Sequence, residues 1–154
     1  MFRLLTLLLL CAALPGCESL PDRMRERFTT VAPKTQLFTA NKRTVFAAGL
    51  AAAKQIGFTL QRSSESEGTI SAYSRVRPGD LVRAAQQFTL SIKLTPITDT
   101  STEVALLLSE LTEADLRVGG GEVPLREHGL YASYFAALEQ ILAGQSASKA
   151  SQKL

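Results

Sequence analysis

The residues from which most metal sites and catalytic sites are built are scarce in this chain. Its 154 residues include two cysteines and a single histidine, His128. A zinc site needs a cluster of cysteine or histidine ligands, and nucleophilic catalysis needs a serine or cysteine beside a base. A lone histidine is more often structural or solvated, and we interpret His128 in that way. We therefore predict that the protein is not an enzyme and has no catalytic residue, no metal ligand and no cofactor.

Charge of one sign and long apolar runs are also scarce. The formal net charge of +3 at pH 7 is too small for a nucleic-acid-binding protein. Beyond residues 4–14, no apolar run approaches the roughly 20 residues that a membrane-spanning helix needs. Because 45% of the residues are hydrophobic, the chain can still build one core. Collagen, coiled coils and polytopic membrane proteins are excluded.

The acidic residues and the glycine run do not match a known kind of site. Glu65 and Glu67 fall in a predicted turn, whereas Glu113 and Asp115 follow a predicted strand. Hydrolysis by paired carboxylates needs two acids that converge on one cleft, and neither pair has the spacing of a calcium loop. The three glycines at 119–121 lack the Lys and Ser or Thr of a phosphate loop, so we interpret them as a flexible turn.

Residues 1–16 have the organisation of a secretory signal peptide. Arg3 supplies a positive charge, and residues 4–14 (LLTLLLLCAAL) follow with no charge at all. A transmembrane helix is the alternative, but the run is too short for the hydrocarbon core and ends in the helix-breaking pair Pro15-Gly16. We therefore predict that residues 1–16 direct export and are removed.

The tetrapeptide Leu14-Pro15-Gly16-Cys17 resembles the lipobox of bacterial lipoproteins, which is an aliphatic residue, two small residues and a cysteine. The resemblance implies that the Cys17 thiol receives a diacylglycerol, that the bond after Gly16 is cut and that the new amino group is acylated, for example with palmitate. Pro15 stands where that family usually has Ala, Ser or Thr. Cys11 lies in the apolar run and would leave with the signal, so Cys17 would have no disulfide partner. The alternative is an ordinary signal peptide with a stray thiol.

The residue after the lipidated cysteine directs sorting in Gram-negative lipoproteins, where aspartate favours the inner membrane. Here that residue is Glu18, and the resemblance therefore implies the outer membrane, facing the periplasm. Several acyl chains hold a protein on a bilayer where one chain gives only marginal binding. Residues 18–33 show no helical or alternating apolar pattern, and we interpret residues 17–34 as the lipidated N-terminus and a flexible tether.

Apolar periodicity predicts a single domain over residues 35–143. Residues 35–39 suggest a short strand, and a helix follows between a capping Asn41 and a terminating Gly57. Alternating apolar residues then predict four strands, and a second helix extends over residues 130–142 and is closed by Gly144. The predicted strands are residues 58–61, 69–76, 88–95 and 102–111.

Leu107 and the last residues of the chain depart from this pattern. Leu107 breaks the alternation of the last strand, so that strand is either covered on both faces or bulged. Residues 144–154 are small and polar, and we interpret them as a disordered tail.

The element order β-α-β-β-β-β-α predicts an α+β two-layer sandwich, with two helices on one face of an antiparallel sheet of four or five strands. Together with the lipobox, this order resembles the small helix-and-sheet domains of the lipoprotein subunits that attend the outer-membrane β-barrel assembly machine. The resemblance implies a role in the cell envelope and involves no shared motif.

The segment 75–83 (RVRPGDLVR), between two predicted strands, combines three arginines with aliphatic residues. A guanidinium group forms forked hydrogen bonds to carboxylates and phosphates, and arginine beside apolar side chains is suited to an interface or an acidic head group. We therefore predict that Arg75, Arg77 and Arg83 contribute to partner binding. The alternative is a solvated loop with local pairing of arginine and aspartate.

These observations favour a non-enzymatic, lipid-anchored protein that binds another envelope protein or a lipid and supports envelope assembly or maintenance. The alternative is a carrier of lipids or hydrophobic ligands, in which helix and curved sheet enclose a pocket. A hydrolase of envelope polymers is a third possibility. A carrier should have a cavity for an acyl chain, a hydrolase should have converging acids, and a binding module should have neither. The sequence does not indicate the partner or the oligomeric state.

Overall fold

The computed structural model describes residues 31–79, 85–112 and 122–151 of the chain. The predicted signal peptide, Cys17 and most of the predicted tether lie outside these residues. Within them, helices and strands follow one another in the order β-α-β-β-β-β-β-α. The elements are β1 (Lys34–Phe38), α1 (Lys42–Gln55), β2 (Thr59–Ser64), β3 (Thr69–Tyr73), β4 (Gln86–Thr98), β5 (Ser101–Thr112), β6 (Val123–Pro124) and α2 (Gly129–Ser151).

All the described strands form one antiparallel sheet, with the spatial order β1-β5-β4-β3-β2. The remaining strand, β6, pairs with Ser109 and Glu110 of β5, on the same edge that β1 occupies at residues 102–106. Both helices contact each other and the sheet, which confirms the predicted α+β class. The two-residue strand β6 is an addition to the prediction, because so short a strand carries no periodicity.

The alternation of β4 places its apolar residues against the helices, as predicted. Phe88, Leu90, Ile92 and Leu94 are buried in the core, while the residues between them face away from the helices. The register of β4 with β5 continues without a shift through the pair of Ser91 and Leu107. The bulge proposed for β5 is therefore wrong. Leu107 instead lies half-buried on the outer face of the sheet.

Both ends of α1 have the caps that the sequence indicates. At its start, the side-chain Oδ1 of Asn41 accepts a hydrogen bond from the Thr44 backbone N–H at 2.9 Å. At its end, Gly57 adopts a left-handed φ of 89°. The backbone N–H of Phe58 then donates to the Ala53 carbonyl at 2.9 Å, and that of Gly57 donates to the Lys54 carbonyl at 3.0 Å. This pair of bonds is a Schellman motif, and it leads the chain directly into β2.

The small residues of α1 let the two helices approach closely. A Cβ atom added at Gly49 would lie 3.0 Å from the hydroxyl of Tyr134 in α2. That hydroxyl is buried and donates to the Gly49 carbonyl at 3.5 Å. Because burial disfavours the charged form, the pKa of Tyr134 lies well above its usual range, and the side chain is neutral.

Tyr131 fastens the start of α2 to the edge of the sheet. Its hydroxyl donates to the Leu125 carbonyl at 2.7 Å and accepts from the Leu108 backbone N–H at 3.0 Å. The Leu125 N–H in turn donates to the Leu108 carbonyl at 2.8 Å. The connection between β6 and α2 is thereby held against β5, so its backbone polar groups are satisfied at a buried position.

The interpretation of residues 144–154 as a disordered tail is wrong for residues 144–151, where α2 continues to Ser151. Gly144 does not have a positive φ and therefore does not end the helix. The following residues include Gln, Ala and Lys, which favour helix, and the Ser146 hydroxyl donates to the Leu142 carbonyl at 3.0 Å. Among the described residues, no helix combines the length and the apolar character needed to cross a membrane.

Candidate anion-binding pocket

A pocket of about 520 Å³ lies where α1 ends, β2 begins, the connection from β3 to β4 passes and α2 begins. The lining combines three cationic side chains with apolar ones and with small polar groups. We call it the basic pocket. The cations are Lys54, Arg75 and Arg77, the apolar side chains are Ile56, Phe58, Phe88 and Leu130, and Gly57, Thr59 and Ser74 complete the lining.

The backbone of Arg77 is held in place by a bridge to β4. Its N–H donates to the Gln86 carbonyl at 2.8 Å, and the Gln86 N–H donates to the Arg77 carbonyl at 3.0 Å. The Arg77 guanidinium lies over the ring of Phe88, with its central carbon 5.6 Å from the ring centroid. This cation–π contact restrains the guanidinium at the lining of the pocket.

Ser74 fixes the chain just before the two arginines. Its N–H donates to the Phe88 carbonyl at 2.8 Å, and its hydroxyl oxygen accepts from the Phe88 N–H at 2.9 Å. The same hydroxyl donates to the Arg75 carbonyl at 3.0 Å, while the Gln87 side-chain amide donates to the Ser74 carbonyl at 3.0 Å. The backbone polar groups of Ser74 are therefore hydrogen-bonded, and they hold the part of the pocket wall that carries Arg75 in place.

His128 lies immediately before α2 and packs against Phe88, which lines the pocket. Its ring centroid lies 5.0 Å from that of Phe88. Its Nδ1 accepts a hydrogen bond from the Leu130 backbone N–H at 3.2 Å, and its carbonyl accepts from the Tyr131 N–H at 3.2 Å. These contacts cap the first turn of the helix and position Leu130, so the structure gives His128 a structural task.

Among the described residues, no acidic side chain forms an ion pair with the three cations of the basic pocket. The two ion pairs found there are elsewhere, between Lys34 and Glu127 at 2.6 Å and between Arg43 and Glu65 at 3.0 Å. Glu110 stands opposite Phe88 in the strand register but does not line the pocket. Positive charge therefore accumulates at one concave surface, which attracts anions.

The structure brings Arg75 and Arg77 together at this pocket, whereas Arg83 lies outside the described residues. Sequence reasoning missed Lys54 and Phe58, at the junction of α1 and β2, and Leu130, at the start of α2. The position of Lys54 in the last turn of α1 was the one available signal, since a cation there complements the helix dipole. Nothing in the local pattern indicated that this end of α1 meets the loop after β3.

A second, apolar depression of about 290 Å³ lies on the outer face of the sheet. Pro33, Ala105 and Leu107 form part of its wall, and Lys93 stands at its margin. In the part of the chain that the structure describes, no group of three or more His, Cys, Asp or Glu side chains is placed to hold a metal ion.

No protein-family model matches this chain, and no curated protein matches it. Among solved structures, a DUF4468 family protein from Bacteroides ovatus is similar over 64% of this chain and 68% of that chain, with a TM-score of 0.32 and 13% sequence identity. A likeness at this level carries no argument about function.

Proposed function

We propose that this protein is a lipid-anchored lipoprotein of the Gram-negative outer membrane, facing the periplasm, and that its domain is a non-enzymatic binding module of the cell envelope. The basic pocket carries the proposal for the domain, because three cations, which form no ion pair with any described residue, and an apolar floor make a preformed surface for a ligand or partner. The lipobox-like residues 14–17 support the proposed location.

The packing between helices and sheet supports a binding module over a carrier. The side chains that fill this layer include Val45, Leu106, Leu108, Tyr134 and Leu138, all fully buried. They occupy the space in which a carrier would hold an acyl chain, and the basic pocket opens at the end of the layer instead. We therefore do not put forward the carrier as a second function.

The binding role can be tested by replacing Val76 with a photoreactive residue and crosslinking in intact cells. Val76 is 55% exposed and lies between Arg75 and Arg77 in the sequence. We expect the photoreactive residue to capture a discrete envelope component. Ile97, 56% exposed near the end of β4 remote from the pocket, is the matched control and should capture none. Identical products from the two positions, or none from either, would contradict a binding role for this surface.

The anchor is tested by Cys17→Ser, which we expect to leave the protein uncut or free of the membrane, because a hydroxyl does not take the place of the thiol that accepts the diacylglycerol. Several acyl chains are lost together, so the shift from the membrane to the soluble or precursor fraction should be nearly complete. Fractionation and electrophoretic migration measure it. The control is Cys11→Ser, which changes the other cysteine and should remain anchored. If Cys17→Ser fractionates and migrates as wild type does, Cys17 is not the anchor.

A further inference from the structure

We infer that the basic pocket binds the phosphate of an anionic phospholipid, with the adjoining apolar part of the lipid against Phe58 and Leu130. The inference deepens the proposed function and rests on it in one respect, since an anchored domain works beside a lipid surface. The ligand class follows from the charges, the donor geometry and the shape of the pocket.

The charges of the pocket favour an anionic ligand. Lys54, Arg75 and Arg77 line one cavity, and none has a carboxylate partner among the residues that the structure describes. Their positive charges lie along one concave, partly apolar surface that is open to water, where they repel one another and attract anions. A bound anion relieves this repulsion, whereas a neutral ligand does not.

The donor geometry favours phosphate over carboxylate. The two guanidinium groups offer forked sets of N–H donors, and the ammonium of Lys54 adds a separate point charge. The Arg77 guanidinium lies over Phe88, with its central carbon 5.6 Å from the ring centroid, and this contact restrains it before any ligand arrives. A carboxylate presents two oxygens in one plane. The phosphodiester of a phospholipid presents two charged oxygens and two ester oxygens in tetrahedral directions, so it can accept hydrogen bonds from donors that approach from several sides.

The shape of the pocket favours a phosphate that carries an apolar substituent. A phosphate group alone is small beside a volume of about 520 Å³, and the rest of the lining includes Ile56, Phe58 and Leu130. Phe58 and Phe88 are each only 5% exposed, so they form a floor rather than a rim. An acidic protein partner would instead need about 800 Å² of matching surface, far more than this concavity presents.

The test uses the full-length protein in a nonionic, sugar-headed detergent, so that no other phosphate is present. Dihexanoyl phosphatidylglycerol is titrated by calorimetry into the wild type and into the double variant Arg75→Gln/Arg77→Gln. We expect the variant to bind roughly 30-fold more weakly, the loss that two basic contacts at a charged lipid surface imply. Wild-type affinity should also fall as salt is raised, and more steeply than that of the variant.

The matched control is Arg43→Gln/Arg62→Gln, which makes the same change in net charge at exposed positions outside the pocket. It should bind as the wild type does. Circular dichroism and the melting midpoint should be alike for all three proteins, because exposed arginines contribute little to stability. Equal affinity of the pocket variant and the wild type would overturn the site. An equal loss in the control would show a general effect of charge and would overturn it too.

Glycerophosphoglycerol, the deacylated head group with the same single negative charge, is titrated in parallel and separates a lipid from a free phosphate ester. We expect it to bind at least tenfold more weakly than the lipid, since it makes no apolar contact, and equal affinity would overturn the assignment to lipid. The assignment to lipid would also be overturned if crosslinking from position 76 captured only a protein and the titration showed no lipid binding. The titration is independent of anchoring, because the protein is in detergent. Membrane release of Cys17→Ser and crosslinking from position 76 therefore test the proposed function separately.

Discussion

Leu90→Asp should lower the free energy of unfolding by several kcal/mol, enough to unfold much of the population of a domain whose total stability is on the order of 5–15 kcal/mol. Leu90 is 1% exposed in the middle of β4, with Ala72 and Leu108 as its partners on the two neighbouring strands. An aspartate there has no cation to pair with, so it is either buried as a charge or forces the strand open. Urea denaturation followed by circular dichroism measures the loss.

The matched control for Leu90→Asp is Ser91→Asp, the same new residue one position along the strand. Ser91 is exposed on the outer face of the sheet, where water solvates a carboxylate. We expect a loss below about 1 kcal/mol, mostly from the low strand propensity of aspartate. If both variants lose a similar amount of unfolding free energy, then Leu90 and Ser91 do not lie on a buried face and an exposed face of β4, and the described orientation of the strand is wrong.

Gly68→Ala should lower the free energy of unfolding by about 3 kcal/mol, because backbone strain and a steric clash act together. Gly68 ends the turn between β2 and β3 with a left-handed φ of 68°. An added Cβ would lie 2.6 Å from the Leu94 carbonyl oxygen and 2.8 Å from Cε of Lys42. The lysine side chain can move, but the Leu94 carbonyl belongs to β4, and the Leu94 N–H donates to the Gly68 carbonyl at 2.7 Å. Chemical denaturation gives the difference from the wild type.

Gly57→Ala separates the two contributions, because Gly57 also has a positive φ, of 89°, but a Cβ there meets no atom within 4 Å. In Gly57→Ala only the strain of the left-handed backbone remains, so the free energy of unfolding should fall by roughly 1 kcal/mol. If both alanine variants lose the same amount, the turn has shifted away from Leu94 and the steric part of the argument is wrong.

The fold class could be read from the sequence because its longest elements repeat their apolar residues at a clear period. In β4 the alternation over residues 88–95 predicts both the strand and its buried face, and the core agrees. The caps of α1 are equally local: Asn41 needs only the N–H of Thr44, and Gly57 needs only its own freedom to adopt a positive φ. Where this local information was weak, prediction failed. Gly144 is a residue type that commonly follows the end of a helix, yet α2 continues through it, because Gly144 does not adopt a positive φ.

The sequence by itself determined the α+β class, the caps of α1, the inward face of β4 and the cationic character of the loop after β3, because each depends on residues close together in the chain. Only the tertiary structure decided that β1 pairs with β5, and that the end of α1, the loop after β3 and the start of α2 share one pocket. These choices join segments far apart in sequence. They follow from how the two helices cover one face of the sheet as a whole, and the periodicity of a single segment carries no information about its partner.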